Sequence, residues 1–242
     1  MKINEWDIKN ANAQQWKVTF APSTFENNSV WDAGSLTPAF LPSDIGKKTI
    51  KITMMVRGNS RETILNNIST ILSHLLEPAE LYLDNYSGGT YNHTFYGIMT
   101  KSSTSEFVQD RVHKLSIEFM AIERGRLMIG SVERPQELVV NNPGNIPTPF
   151  ILNIIPTVGM ASITVTGCFK EALRNVDRGC KVNNLLTNQQ VSLNGETGLI
   201  LNGASIADAE FYQFPLLQPG TNTIKFSSDF INVSYSFYPR FF

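Results

Sequence analysis

Helical periodicity occurs once in this chain of 242 residues. The segment NSRETILNNISTILSHLLEP sets Ile64, Leu65, Ile68, Ile71, Leu72 and Leu75 at helical spacing on one face. Asn59 and Glu62 form a capping-box-like start, since each side chain can satisfy an end amide near the other. Pro78 ends the run, because it has no N–H and disfavours helical geometry at Glu77. Elsewhere apolar residues recur with a period of two, the pattern of a strand with one covered face. A single amphipathic helix among many strands has to bury its stripe on a sheet. The expected class is mainly β with one helix.

The strands on either side of the helix are legible. In IKITMMV, Ile50, Ile52, Met54 and Val56 alternate with Lys51, Thr53 and Met55. Leu81, Tyr82 and Leu83 follow the helix, and residues 94–99 form another run beyond the turn-rich Ser87-Gly88-Gly89. Leu115, Ile117, Phe119 and Ala121 alternate with Lys114, Ser116, Glu118 and Met120. The first half therefore reads as an α+β domain dominated by sheet.

Between the early strand at residues 17–20 and Ile50, nearly thirty residues lack periodicity. A loop of that length in a compact domain is generally functional or disordered. This one carries Phe25, Val30, Trp31, Leu36, Phe40, Leu41 and Ile45, which is too apolar for disorder. The expectation is an extended hairpin or arm that packs on its own domain or on a neighbouring subunit.

QELVVNNPGNIPTPFILNIIP, residues 136–156, holds the densest cluster of backbone-breaking residues. It reads as a hinge between a domain at residues 1–138 and another at residues 142–242. The second half shows only short alternating segments. They are marked by Ile163 and Val165, Val191 and Leu193, Leu199 and Leu201, Ile224 and Phe226, and Val233, Tyr235 and Phe237. Turns at Asn194-Gly195, Asn202-Gly203 and Pro219-Gly220 separate them. That pattern predicts a β-sandwich. The ending YSFYPRFF is rich in aromatics; it docks as a last strand in the sandwich, or meets the first domain or another subunit.

Chemistry is hard to find. A formal net charge of −1 offers no basic excess for sequence-independent nucleic-acid binding. No apolar run approaches the ~20 residues of a membrane span, and MKINEWDIKN lacks the features of a secretory signal. A chain that stays in the cytosol, or leaves it without the general export route, is expected. His74, His93 and His113 have no ligand-spaced partners, and Cys168 and Cys180 match neither a redox pair nor a zinc half-site. They read as small, half-buried strand residues, able to be neighbours across two strands. Nucleophile elbows, phosphate loops and dinucleotide fingerprints are missing. Asp84, Glu106, Glu118, Asp208 and Glu210 are unremarkable carboxylates. No catalytic residue, cofactor site or metal site is assigned.

Three runs, in order, carry a resemblance. They are KKTIKITMMVRGNSRETILNNISTILSHLL; the pair ELYLDNY and TFYGIM; and NNPGNIPTPFILNI followed by NG turns, FPLLQPGTNTIKFSS and PRFF. Together they resemble the siphophage distal tail protein family, the tail-tip or baseplate hub ring, from about Ile45 to the end. The resemblance implies a tail-tube-like N-terminal domain that assembles into a hexameric ring. It also implies a galectin-like or carbohydrate-module-like C-terminal sandwich, with a final segment that in some relatives returns to the first domain. The implied partners are copies of the chain, the terminal tail-tube protein, the tail-associated hub or lysin protein with the tape-measure end, and receptor-binding or baseplate proteins. Neither sequence-specific nucleic-acid contact nor a membrane is implied. The implied place is the virion tail tip, assembled in the bacterial host cytoplasm. A closed ring needs two different patches per subunit; Trp31, Phe40, Leu41 and Ile45 of the arm, with Phe241 and Phe242, are the expected contacts.

Other readings stay open. A carbohydrate-binding protein attached to the host surface would use Phe211, Tyr212 and Phe214 as an aromatic platform. A cell-wall hydrolase would need one of the acidic residues above, and a tube protein would share the first domain.

Overall fold

The structure, a computed structural model, describes residues 1–21, 47–85, 92–106, 111–169 and 176–242, and within residues 22–46 the backbone of four short strands. Among these residues there is one α-helix, and strands dominate, as the patterning requires. That helix, at 13 residues, is not long and apolar enough to cross a membrane. The chain divides into two compact units. The first holds Met1–Asn28, Ser43–Gly125 and Phe242, and the second Ser29–Pro42 and Arg126–Phe241.

In chain order the early strands are β1 (Lys2–Ile3), β2 (Trp6–Asp7), β3 (Ala13–Ala21), β4 (Phe25–Glu26), β5 (Ser29–Val30), β6 (Ala39–Phe40), β7 (Asp44–Ile45) and β8 (Lys48–Arg57). Helix α1 (Arg61–Ser73) follows, then β9 (Ala79–Tyr82), β10 (Thr94–Glu106) and β11 (Val112–Arg124). The main sheet has the antiparallel order β2-β1-β9-β10-β11-β8-β3. Its inner face carries the expected alternation: Ile50, Ile52, Met54 and Val56 from β8, and Leu115, Ile117, Phe119 and Ala121 from β11, are all buried in one core.

Ile64, Ile68 and Ile71 of α1 enter that core, each contributing about 1.5–3 kcal/mol by leaving water. The cap differs from expectation. Ser60, not Asn59, is the N-cap, its Oγ accepting the Thr63 N–H at 3.1 Å. Glu62 thus sits one position too early for a capping box, although its charge still favours the helix start. Leu65 is 51% exposed, because the buried stripe follows 64, 68 and 71 and leaves Leu65 about 100° away.

The four short strands form two antiparallel pairs, β4 with β7 and β5 with β6. Phe25↔Ile45 and Glu26↔Asp44 keep the register of Phe20↔Ile50, and Ser29↔Phe40 with Val30↔Ala39 follow after a one-residue shift. Most of the expected arm lies outside the described residues, and these two separate strand pairs are what the structure describes of it.

The later strands are β12 (Met128–Glu133), β13 (Glu137–Asn142), β14 (Thr148–Pro149), β15 (Ile151–Pro156), β16 (Met160–Thr166), β17 (Cys180–Leu185), β18 (Val191–Asn194) and β19 (Leu199–Asn202). After them come β20 (Ser205–Ile206), β21 (Ala209–Phe211), β22 (Leu216–Leu217), β23 (Gly220–Phe226), β24 (Ile231–Phe237) and β25 (Arg240–Phe241). One sheet runs β12-β24-β15-β18-β19-β20 and another β13-β23-β16-β17-β21, with β14 and β22 as a separate pair. Both larger sheets feed one core: Leu152, Ile154, Leu193 and Val233 from the first meet Ile163, Val165, Val182 and Ile224 from the second. This is the expected sandwich. In β19 the inward residue is Ile200, opposite Leu193, and not Leu199 or Leu201; three consecutive apolar residues leave the face undecided until the pairing is known.

The expected boundary at residues 138–142 needs correction. The units part at Gly125–Arg126, because β12 pairs with β24 and β13 with β23. The Asn/Pro-rich stretch lies inside the second unit as an ordered turn. Asn142 is buried; its Nδ2 donates to Thr148 Oγ1 and to the Leu217 carbonyl, and its Oδ1 accepts the Gly144 N–H at 3.0 Å. The Arg240 carbonyl accepts from Asn145 N–H, and the Arg240 N–H donates to Thr148 Oγ1. A Cβ on Gly144 would stand 2.5 Å from the Arg240 carbonyl oxygen, so glycine is required there. Turn chemistry here closes a sandwich rather than loosening a joint.

Candidate functional site

Strand β3 ends the main sheet on one side. An edge strand leaves a row of backbone donors and acceptors that invite another chain. Here the register shifts between Gln15↔Met54 and Lys17↔Thr53, which makes Trp16 the extra residue of a β-bulge. Its indole is 63% exposed. Phe20, two turns of the pleat further on, is 43% exposed and lies against Phe95 with ring centroids 5.4 Å apart. A large aromatic held out on a bulged edge is the kind of group that anchors protein contacts. The sequence reading missed Trp16: it is in step with Val18 and Phe20 at a period of two, so the sequence gives no sign of the bulge that turns it out.

The outer face of the same sheet is polar over most of its breadth. Direct cross-strand partners share a face, so the ladders define rows across β10, β11, β8 and β3. One row is Lys101, Glu118, Lys51 and Thr19; the next is Ser103, Ser116, Thr53 and Lys17. Thr53 and Ser116 hydroxyls lie 3.4 Å apart. Towards the other end of β10 the rows become apolar, with Ile98 opposite Met120 and Tyr96 opposite Ile122. The Arg124 guanidinium lies over the Tyr96 ring at 4.1 Å.

The expected contact residues fall unevenly. Trp31 and Leu41 lie outside the described residues, and Phe40 and Ile45 are described only by the backbone of β6 and β7. Phe241 is half-buried in β25, and Phe242 is 38% exposed.

Titratable groups have structural partners. His93 Nδ1 lies 2.5 Å from Glu123, whose other oxygen pairs with Lys48. His74 stacks on Trp6 at 4.3 Å, and His113 is buried. Asp84 pairs with the Met1 amino group at 2.5 Å, Glu210 with Lys181 at 3.1 Å, and Asp208 accepts from Asn184. Among the described residues no three His, Cys, Asp or Glu side chains group as metal ligands. Cys168 and Cys180 are free and buried. Burial pushes the Cys180 thiol up to about 12. Burial also raises Cys168, helped by the Asp177 carboxylate and then by Cys180. Thiols held this firmly protonated are poor nucleophiles.

A cleft of about 840 Å³ in the first unit is lined by Lys9, Asn12, Arg57, Asn59, Asp84 and Arg111 among others. In the second unit the aromatic platform is not flat. Phe211 and Phe214 are tilted by 51° with centroids 5.0 Å apart, and the Arg178 guanidinium covers Tyr212 at 4.4 Å. Sugar stacking needs open ring faces, and Tyr212 has one of its two engaged.

No family model and no curated protein matches the chain. Solved structures do. The crystal structure of the phage SPP1 Dit (gp 19.1) protein, presented as a paradigm of hub adsorption apparatus in phages infecting Gram-positive bacteria, superposes with a TM-score of 0.74 at 12% identity. The match covers 100% of this chain and 98% of that one. Two structures of the phage P2 baseplate in its activated conformation, with Ca and with Sr, superpose with a TM-score of 0.52 at 11% identity, covering 96% of this chain and 92% of theirs. At such identities the likeness is one of fold. The chain has the fold of phage hub and baseplate proteins over its full length.

Proposed function

We propose that this chain is a structural hub protein of a phage or prophage tail tip, acting by shape and not by bond-making. The observation that carries the reading is the full-length match to the SPP1 Dit fold, both units included. Structural phage proteins as neighbours also favour a non-enzymatic role. Copies of the first unit close into a hexameric ring. The ring joins the terminal tail-tube protein to the tail-associated hub protein, and the second unit anchors receptor-binding or baseplate proteins. Its place is the virion tail tip, after assembly in the host cytoplasm.

Physical features support such assembly. A head-to-tail ring uses two different patches on each copy, and the bulged edge with Trp16 and Phe20 supplies one. The arm residues Trp31, Phe40, Leu41 and Ile45, with Phe241 and Phe242, complete the proposed contact set. Native mass spectrometry and negative-stain microscopy test the reading, on the protein alone and mixed with its tube and hub partners. Six-fold rings are the expected outcome. Monomers under every mixture at tens of micromolar would count against the hub assignment.

A further inference from the structure

The formal net charge of −1 conceals a segregation that only the fold creates. On the outer face of the first unit's sheet, Lys101, Lys51, Lys17 and Lys114 come from four adjacent strands and fall within three successive cross-strand rows. Arg57 prolongs the track at the end of β8, opposite Val112. Among the described residues, Glu118 is the one carboxylate in those rows. It is shared between Lys51 at 3.9 Å and Lys101 at 3.8 Å, exposed pairs that hold little energy. Lys17, Lys114 and Arg57 make no ion pair among the described residues.

We infer that this face binds the phosphate backbone of duplex DNA without reading its sequence. Rows of a sheet lie about 7 Å apart and strands about 5 Å apart, so the cations form a patch and not a point. From Lys51 to Arg57 the track runs roughly 20 Å, along which one strand of a duplex presents about six phosphates. The hydroxyls of Ser103, Ser116 and Thr19 lie between the lysines and supply neutral donors of the kind that bind phosphate oxygens. The one exposed aromatic beside those rows is Trp16, on the bulge next to Lys17, and a single ring does not make the run of stacking platforms that single-stranded DNA requires. Tyr96, on the same face, is in a more distant row and under Arg124. The inference does not depend on ring closure.

The test is fluorescence anisotropy of a labelled random duplex of about 30 base pairs with the full-length protein, from about 25 to 200 mM salt. Binding is expected at low salt, with log K falling against log salt at a slope near −4, which corresponds to four or five neutralised phosphates. Replacing the three lysines together, Lys17→Gln, Lys51→Gln and Lys114→Gln, is expected to reduce the slope by about three and the low-salt affinity at least about ten-fold. A control with Lys181→Gln and Lys225→Gln in the second unit leaves both unchanged. Circular dichroism confirms that the variants fold, as substitution of side chains on an open face predicts. Three results overturn the proposal: no anisotropy change at the lowest salt with about 0.5 mM protein, a triple variant that binds like the parent, or displacement of the duplex by polyglutamate at equal charge. The last result would assign the face to an acidic protein instead. Ring formation is read separately by native mass spectrometry, so failure here leaves the hub proposal standing.

Discussion

The two units solve the same problem, covering a sheet, in different ways. The second stacks two sheets on each other, so each inner face is covered by the other and one continuous core results. The first has one main sheet, covers its inner face with α1 and the N-terminal segment, and leaves the outer face polar and open. Its edge at β3 ends in a bulge with an exposed tryptophan. The sandwich covers the inner faces of both its sheets, whereas the first unit leaves one face of its main sheet uncovered. That asymmetry suits a molecule whose first unit assembles with its own copies, as proposed above.

The comparison breaks most sharply in the cores. Phe119→Ala in the first unit and Phe150→Ala in the second each remove a fully buried ring, and each is expected to cost about 3–5 kcal/mol. Hydrogen exchange read by mass spectrometry should show loss of protection confined to the unit that carries the change. Equal loss in both units from either variant would mean that they unfold as one body.

A smaller effect is expected from Asn142→Ala. It removes both donors to Thr148 and Leu217 and the acceptor for Gly144, a cost of about 1–3 kcal/mol. Thermal melting of the second unit should fall while first-unit exchange is unchanged. An unaltered melt would show that the Asn/Pro-rich turn is not structural after all.

Next is a pH effect confined to the sandwich. In the unfolded chain the cysteine thiols ionise near 9.0, whereas the folded Cys180 thiol holds its proton to about 12 and Cys168 is raised too. Where the unfolded chain has lost protons that the folded one keeps, stability falls as pH rises. The contribution is intact below about pH 9 and is lost progressively from there toward pH 12. Urea midpoints of the second unit at increasing pH measure it, and Cys180→Ala should flatten the curve. A midpoint that does not move in the parent would remove the argument.

The smallest effect on stability is expected at the edge. Trp16→Ala deletes an exposed ring and should shift stability by no more than about 0.5 kcal/mol. Its consequence appears in assembly, where native mass spectrometry should show rings giving way to smaller species. Undiminished rings would move the contact away from β3.

How far the amino-acid order could be read depended on the kind of burial. Residues 50–56 and 115–121 alternate cleanly because one face of each strand is core and the other is not. The helix is legible for the same reason. Strand β12 is not, because at the margin of its sheet nearly every side chain is exposed, and no alternation marks it. That is why the unit boundary was expected too late in the chain. Trp16 is hidden for the opposite reason: it keeps step with Val18 and Phe20, and the bulge that turns it out leaves no mark in the sequence. The contacts expected from the arm fall on residues 31–45, where side chains lie outside the described structure.

By itself, the order of residues determined the class of fold. Periodicity is a local property, and each segment carries its own record of which side faces oil and which faces water. It also determined the helix, most of the strands and the sandwich pattern. Tertiary structure alone decided which strands became neighbours, and so which residues share a surface. The lysines at 17, 51, 101 and 114 are scattered over nearly a hundred positions and mean nothing in a net charge of −1. Hydrogen-bonded ladders bring them into adjacent rows, because cross-strand register acts over any sequence distance, while periodicity acts only along the chain.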